Sequence, residues 1–341
     1  MKRTLSLALF VVLVASLAVA GGNPTFEVKS RITLGGEGGW DYLTADSANH
    51  RVFISRGTHV MVVDVPSGKV IGDIPNTPGV HGIALVPELG RGFISSGGNN
   101  TVTVFDLKDY KPIQEVKVGE RPDAIVYDPT SGRVFTFNAK SQDATAVDAK
   151  TMTVAGTVAL GGKPEFSQPD GKGSMIVNIE DTGELVKFDA TALTINWRSK
   201  LTDCEEPSGL AFDAKHRRTF SVCGNKKMMV ADADSGKVVA TVPIDAGPDA
   251  AAFDPEWKLA FSSNGSGSLT VVSQQSADKY EVIQTLATPP RARTMALDMK
   301  THYVYSVTAQ FDPAPAATPE NPRPRGKMKP GTFELIVVGP K

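Results

Sequence analysis

An apolar run that ends in aspartate and then turns recurs about every 42 residues along this chain, and that period limits the fold more than any other feature. The copies are VMVVDVPSGKV ending at Val70, TVTVFDLKDYK at Lys111, ATAVDAKTMTV at Val154, LVKFDATALTI at Ile195 and MMVADADSGKV at Val238. Their aspartates, Asp64, Asp106, Asp148, Asp189 and Asp232, are spaced 42, 42, 41 and 43 residues apart. Ser273 holds the next position, 41 residues on. A second series keeps step: a Pro or Gly, a polar residue, four further residues, then usually Asp. It opens units at 41, 81, 123, 165, 208, 249 and 293, with gaps of 40, 42, 42, 43, 41 and 44. The count is seven units.

Each unit reads as four short strands. In the third they are DAIVYD, GRVFTFN, DATAVDA and TVAGTVAL, with turns such as Asp128-Pro129-Thr130-Ser131-Gly132 between them. No segment beyond the first twenty residues carries a sustained 3.6-residue apolar stripe. Four strands per repeat of this length describe a propeller blade. The last unit supplies only three strands: ARTMALD, HYVYSVTAQ and FELIVVG. The missing outer strand exists at the other end of the chain, FEVKSRITLG from Phe26 to Gly35. The expected fold is therefore all-β, a seven-bladed β-propeller closed by an N-terminal strand in the last blade. Closure also removes the open sheet edges that a solenoid would have to cap.

RPDAIVYDPTSGRVFTFN, MVVDVPSGKVIGDIP and the closing PGTFELIVVG carry a resemblance. These units resemble the YVTN-type β-propeller repeats of secreted bacterial proteins similar to YncE. The likeness runs from about Pro24 to the C-terminus. The tyrosine-valine strand is degenerate here (VFIS, GFIS, VFTF, TFSV, AFSS, VYSV), and the WD40 Trp-Asp pattern is absent. The resemblance implies the fold and says little about function.

The first twenty residues read as a secretory signal peptide: Lys2-Arg3, an apolar stretch from Leu5 to Leu17, then Ala18-Val19-Ala20. A membrane anchor is the weaker reading, because the stretch is short and an Ala-x-Ala site follows it. No Cys follows that site, which argues against a lipoprotein. Residues 21–341 form the expected single propeller domain, periplasmic or extracellular, monomeric and without a membrane span. Net charge is −1. That balance speaks against nucleic acid as a partner, even with the pairs Arg217-Arg218 and Lys226-Lys227. Cys204 and Cys223 fall near one face of the fifth blade, and an oxidising compartment favours a disulfide. Two buried free thiols are the alternative.

Propeller ligands bind where the inner strands open the central channel. That places Asp41, His81, Asp123, Glu165, Ser208, Asp249 and Arg293 in one ring at the channel mouth. A second ring is expected from the ends of the neighbouring strands: Arg56, Ser96, Asn138, Cys223, Asn264 and Thr308, with Trp40 flanking the first opening. Two readings stand side by side. Asp, Ser and Glu are turn formers that bond exposed backbone N–H groups, so the ring can be structural. Alternatively, the carboxylates with His81 hold Ca²⁺ or Mg²⁺ as hard oxygen ligands, and Arg293 grips an anionic group. The aspartates at both turn series, with His50, His216 and His302, are expected on the opposite face as turn caps and exposed side chains.

A Pro-rich insertion, Gln310 to Gly331, interrupts the last blade on the mouth side. It contains Arg323, Arg325, Lys327 and Lys329. It reads as a disordered excursion or as a basic lid over the channel. No P-loop and no G-x-S-x-G occurs, and GGEGGW (Gly35 to Trp40) lacks dinucleotide spacing. The expected function is a secreted binding module that takes a small ligand or an envelope protein at the channel mouth. The alternative is a metal-assisted hydrolase or lyase, lactonase-like, with a cation on Asp41, Asp123, Glu165 or Asp249 and His81 as acid or base.

Overall fold

The computed structural model describes residues 23–316, 318, 324 and 326–341. The expected signal segment, 1–20, and Pro319, Pro322, Arg323 and Arg325 of the insertion lie outside the described residues. The chain forms seven four-stranded antiparallel sheets arranged as a seven-bladed propeller. Six blades use four consecutive strands each, from Leu43–Asp46 at the first inner position to Lys279–Ala287 at the sixth outer one. The seventh runs, inside to outside, Met295–Asp298, Tyr303–Thr308, Glu334–Pro340 and Phe26–Thr33. Phe26 lies opposite Pro340 and Thr33 opposite Glu334, so the N-terminal strand closes the ring as the repeat count requires.

The middle strands of every blade are sandwiched between neighbouring sheets. Both of their faces are therefore buried, and apolar residues dominate them, interspersed with buried hydroxyls such as Thr103, Thr136 and Ser262. Val52, Phe53 and Ile54 are fully buried, as are Val60, Val62 and Val63. The outer strands meet solvent and carry residues such as Lys69, Lys117 and Lys200. Both aspartate series cap turns. Asp128 accepts from the backbone N–H of Thr130 at 3.2 Å and of Ser131 at 2.9 Å. Asp148 accepts from Lys150 at 3.0 Å and Thr151 at 2.7 Å. These aspartates replace backbone partners that the tight turns leave without one.

The period has a further product. Arg51, Arg91, Arg133 and Arg218 each open a second strand, and each guanidinium donates to a turn carbonyl of the next blade. The acceptors are Leu107 at 3.0 Å, Ala149 at 3.0 Å, Ala190 at 2.8 Å and Ala277 at 3.2 Å. Blade four has Ser174 at that position, and Lys187 reaches the Ala233 carbonyl of blade five instead, at 3.3 Å.

Cys204 and Cys223 are disulfide-bonded, with Cα atoms 5.3 Å apart. The turn histidines do not all behave as the sequence implies. His50 is exposed. His216 bonds Asp213 at 2.7 Å. His302 stacks flat on Trp257 at 4.0 Å and bonds Asp254 at 2.6 Å. The last two are half-buried because the turn aspartates facing them offer a fixed acceptor. Among the described residues, no helix is long and apolar enough to cross a membrane.

Phe26 anchors the closing strand. It is fully buried and meets Phe261 edge-on at 5.3 Å, with Trp257 at 6.0 Å. Phe26→Ala is expected to cost about 3–5 kcal/mol, read as a lower urea midpoint; a cost under about 1 kcal/mol would show that this strand does not seal the ring.

Candidate functional site at the channel mouth

The inner strands start at the mouth, and the first residues of each unit gather there. Their backbones are held by polar side chains on the second strands, three hydroxyls and one amide. Ser55 Oγ accepts from the Asp41 N–H at 2.9 Å, and Ser95 donates to the Asp123 carbonyl. Ser263 donates to the Arg293 carbonyl. Asn178 Nδ2 donates to the Ser208 carbonyl at 2.9 Å.

Asp41, His81 and Asp123 form one cluster. His81 Nδ1 donates to Asp41 Oδ2 at 2.6 Å and lies 3.5 Å from Asp123 Oδ1. One ligating atom from each of the three falls within 4.8 Å of the others, a spacing one cation can span. Arg293 follows round the ring, 2.8 Å from Asp249 Oδ2 and 3.6 Å from Asp41 Oδ1. On the far side Lys163 pairs with Glu165 at 2.8 Å and with Glu180. Ser208 is almost fully buried and donates to the Pro248 carbonyl at 3.4 Å.

Two aromatic rings close the centre. Tyr42 of the first blade stacks on Phe166 of the fourth at 4.5 Å. Side chains from opposite sides of the ring therefore meet across the axis. The Tyr42 hydroxyl is shut off from solvent and has no hydrogen-bond partner.

This confinement sets the charges. Burial pushes the Asp249 carboxyl up to about 7; Asp41 and Asp123 add to the rise, and Arg293 opposes it. Burial likewise raises Glu165 and Asp123, each repelled by a neighbouring carboxylate. Burial works against charge on His81, but the bond to Asp41 and the field of Asp123 outweigh it, so its pKa stands above the imidazole norm. Burial pushes the Tyr42 phenol well above its usual range, and the surrounding carboxylates add to this. The mouth thus holds more acidic groups than its cations neutralise, and it answers by retaining protons.

The expected second ring does not line the mouth. Arg56, Asn138 and Asn264 are fully buried. Arg56 lies over the Phe333 ring at 3.6 Å and donates to the Gly38 carbonyl at 2.6 Å, fixing the join between the closing strand and the first blade. Asn138 bonds Asp143 at 2.6 Å and Thr145 at 3.0 Å; Asn264 bonds Ser268 at 3.1 Å and Thr270 at 3.0 Å. Ser96 is buried, Cys223 is in the disulfide, and Thr308 donates to the Pro290 carbonyl at 2.7 Å. Side chains alternate along a strand, and register shifts in the inner strands, as between Pro122 and Ile125, move the pairing by a residue. The positions that touch the ring are one earlier, at Ser55, Ser95 and Ser263. Lys163, Tyr42 and Phe166 also belong to the site, although none of them occupies the opening position of a unit. Their signal was adjacency: Tyr42 and Phe166 each follow a ring carboxylate.

No protein-family model matches the chain, and no curated protein matches it in sequence. Solved structures do match in shape. A chain of hydrazine synthase from Kuenenia stuttgartiensis superposes with a TM-score of 0.69 at 17% identity, covering 80% of this chain and 93% of that one. A chain from a mitotic checkpoint complex gives 0.74 at 14% identity, covering 99% and 98%. At these identities the likeness shows a seven-bladed, WD40-like propeller and nothing finer.

Asp249 and His81 have raised values in the fold, so their contribution to stability is present below their unfolded values and fades as pH rises through the folded ones. Asp170 is the opposite case. Burial disfavours its charge, but Lys187 and Arg217 hold it down to about 2, so its contribution fades as pH falls below about 4. The melting temperature is expected to peak near pH 4–5 and to fall toward pH 8, with the alkaline fall shallower in Asp249→Asn. An equally steep fall in that variant would remove Asp249 as a source of it.

Proposed function

We propose that this chain is an exported binding module, periplasmic or extracellular, that engages a small ligand or an envelope protein at its channel mouth. One observation carries the reading: charged side chains from six of the seven blades converge around a stacked aromatic pair at the centre of the ring. A charged rim around an aromatic centre suits docking of a polar or charged partner. The propeller fold is commonly a protein-binding module, which agrees with this. The Cys204–Cys223 disulfide and the leader-like N-terminus support export. The finer likeness to YVTN-type repeats of secreted proteins points the same way.

The test uses envelope extract passed over the immobilised chain. Species retained by the wild type and by Asp106→Ala, on the opposite face, are expected to be lost from a His81→Gln/Asp123→Asn double variant. Equal retention by all three proteins would overturn the mouth as the binding face.

A second reading has its own observation, the Asp41–His81–Asp123 cluster. A Ca²⁺ or Mg²⁺ ion held there would balance the surplus acidity of the mouth. Asp249, with its value near 7, would then be placed to carry a proton in metal-assisted hydrolysis. Calorimetric titration with either cation is expected to show one site per chain, weakened at least tenfold in Asp123→Asn. No heat from Ca²⁺ or Mg²⁺ would end this reading and leave the binding module intact.

A further inference from the structure

A cavity opens beside the ring, at the seam where the first and last blades meet. Its volume is about 390 Å³, and it is lined by Gly39, Trp40, Arg291, Arg293 and Phe311. That lining is two guanidiniums, an indole, a benzene ring and a glycine, with no carboxylate. The volume lies within the range of small-molecule sites, about 300–1,000 Å³.

Arg291 is held differently from the paired arginines elsewhere in the fold. Arg51, Arg91, Arg133, Arg217 and Arg218 all direct their guanidiniums into carbonyls or carboxylates. Arg291 does not. Its guanidinium stacks on Phe311 at 3.8 Å, and among the described residues no hydrogen bond or ion pair engages it. Stacking occupies the face and leaves the edge N–H donors pointing outward in their plane. That arrangement receives a planar oxyanion two bonds at a time. Arg293 is clamped on one side by Asp249 at 2.8 Å, yet 45% of its side chain is exposed. Trp40 leans on Phe311 at 5.9 Å and on Phe333 at 5.4 Å, which fixes an aromatic wall next to the donors.

We propose that this seam cavity binds a small ligand bearing an oxyanion, of the carboxylate or sulfonate class, on a flat apolar body. The oxyanion sits on the edge of Arg291 with Arg293 beside it, and the flat body lies against Trp40. The proposal rests on the reading of the mouth as a binding face and adds the ligand class. Phe311 is the second residue of the Pro-rich insertion and bridges to Met328, so ligand contact would reach the base of that loop.

The probe is 8-anilinonaphthalene-1-sulfonate, followed by its fluorescence. N-phenyl-1-naphthylamine, which has the same aromatic body without the sulfonate, serves as the control. The expected result is saturable binding of the sulfonate at one site. Arg291→Gln should weaken it at least fivefold, Arg291→Lys should weaken it less, and affinity for the neutral control should change less than twofold. Thermal melts of both variants check that the fold is kept. No saturable sulfonate binding, equal affinity in wild type and Arg291→Gln, or equal loss for both probes would overturn the proposal. The retention experiment with the His81 and Asp123 double variant reads the ring without touching Arg291. Failure of the pocket with success there sinks only the pocket; failure there with success here sinks only the ring.

Discussion

The antiparallel pairing of Phe26–Thr33 with Glu334–Pro340 joins residues about three hundred positions apart, and the ring exists only because it forms. Every other blade closes locally, through turns of a few residues. The seventh must wait for both ends of the chain. The entropy of closing so long a loop grows only slowly with its length, so a single well-packed strand can offset it. Phe26 supplies the packing, and Arg56 ties the following glycine-rich stretch to Phe333 of the same blade. Trp40 leans on that same Phe333. The seam is therefore both the mechanical joint of the fold and one wall of the cavity beside the channel.

Around the channel the balance is electrostatic. Ring closure forces carboxylates from different blades into one partly dry space, where their repulsion is weakly screened. Three positive groups answer it: His81 between Asp41 and Asp123, Arg293 on Asp249, and Lys163 on Glu165 and Glu180. The remaining imbalance is met by protonation. A site in this condition responds to an arriving cation or donor-rich ligand, because either one stabilises the ionised form of groups that are otherwise held neutral.

The blade count, the strand content and the shared seventh blade were legible in the sequence because they follow from a repeat, and a repeat is a local property copied many times. The first ring was legible for the same reason. Asp41, His81, Asp123, Glu165, Asp249 and Arg293 occupy one phase of the period, so one inference placed them all. Arg56, Asn138 and Asn264 occupy a neighbouring phase but point into the sheets. A strand reverses side at each residue, and the register shifts that decide which side faces the mouth leave no mark in composition. A turn position predicts exposure for His302, but its partners, Trp257 and Asp254, belong to the preceding blade and lie far from it in sequence.

Periodicity thus determined, without coordinates, that this chain curls into seven sheets and which residue of each unit opens toward the axis. Only the tertiary structure decided what those residues do to one another. It brought Tyr42 and Phe166 together across the axis, set His81 between two carboxylates, and left the Arg291 guanidinium stacked on Phe311 with no acid paired to it among the described residues. Such relations depend on distances between blades, which are fixed by how tightly the ring closes, and a linear repeat carries no measure of that radius.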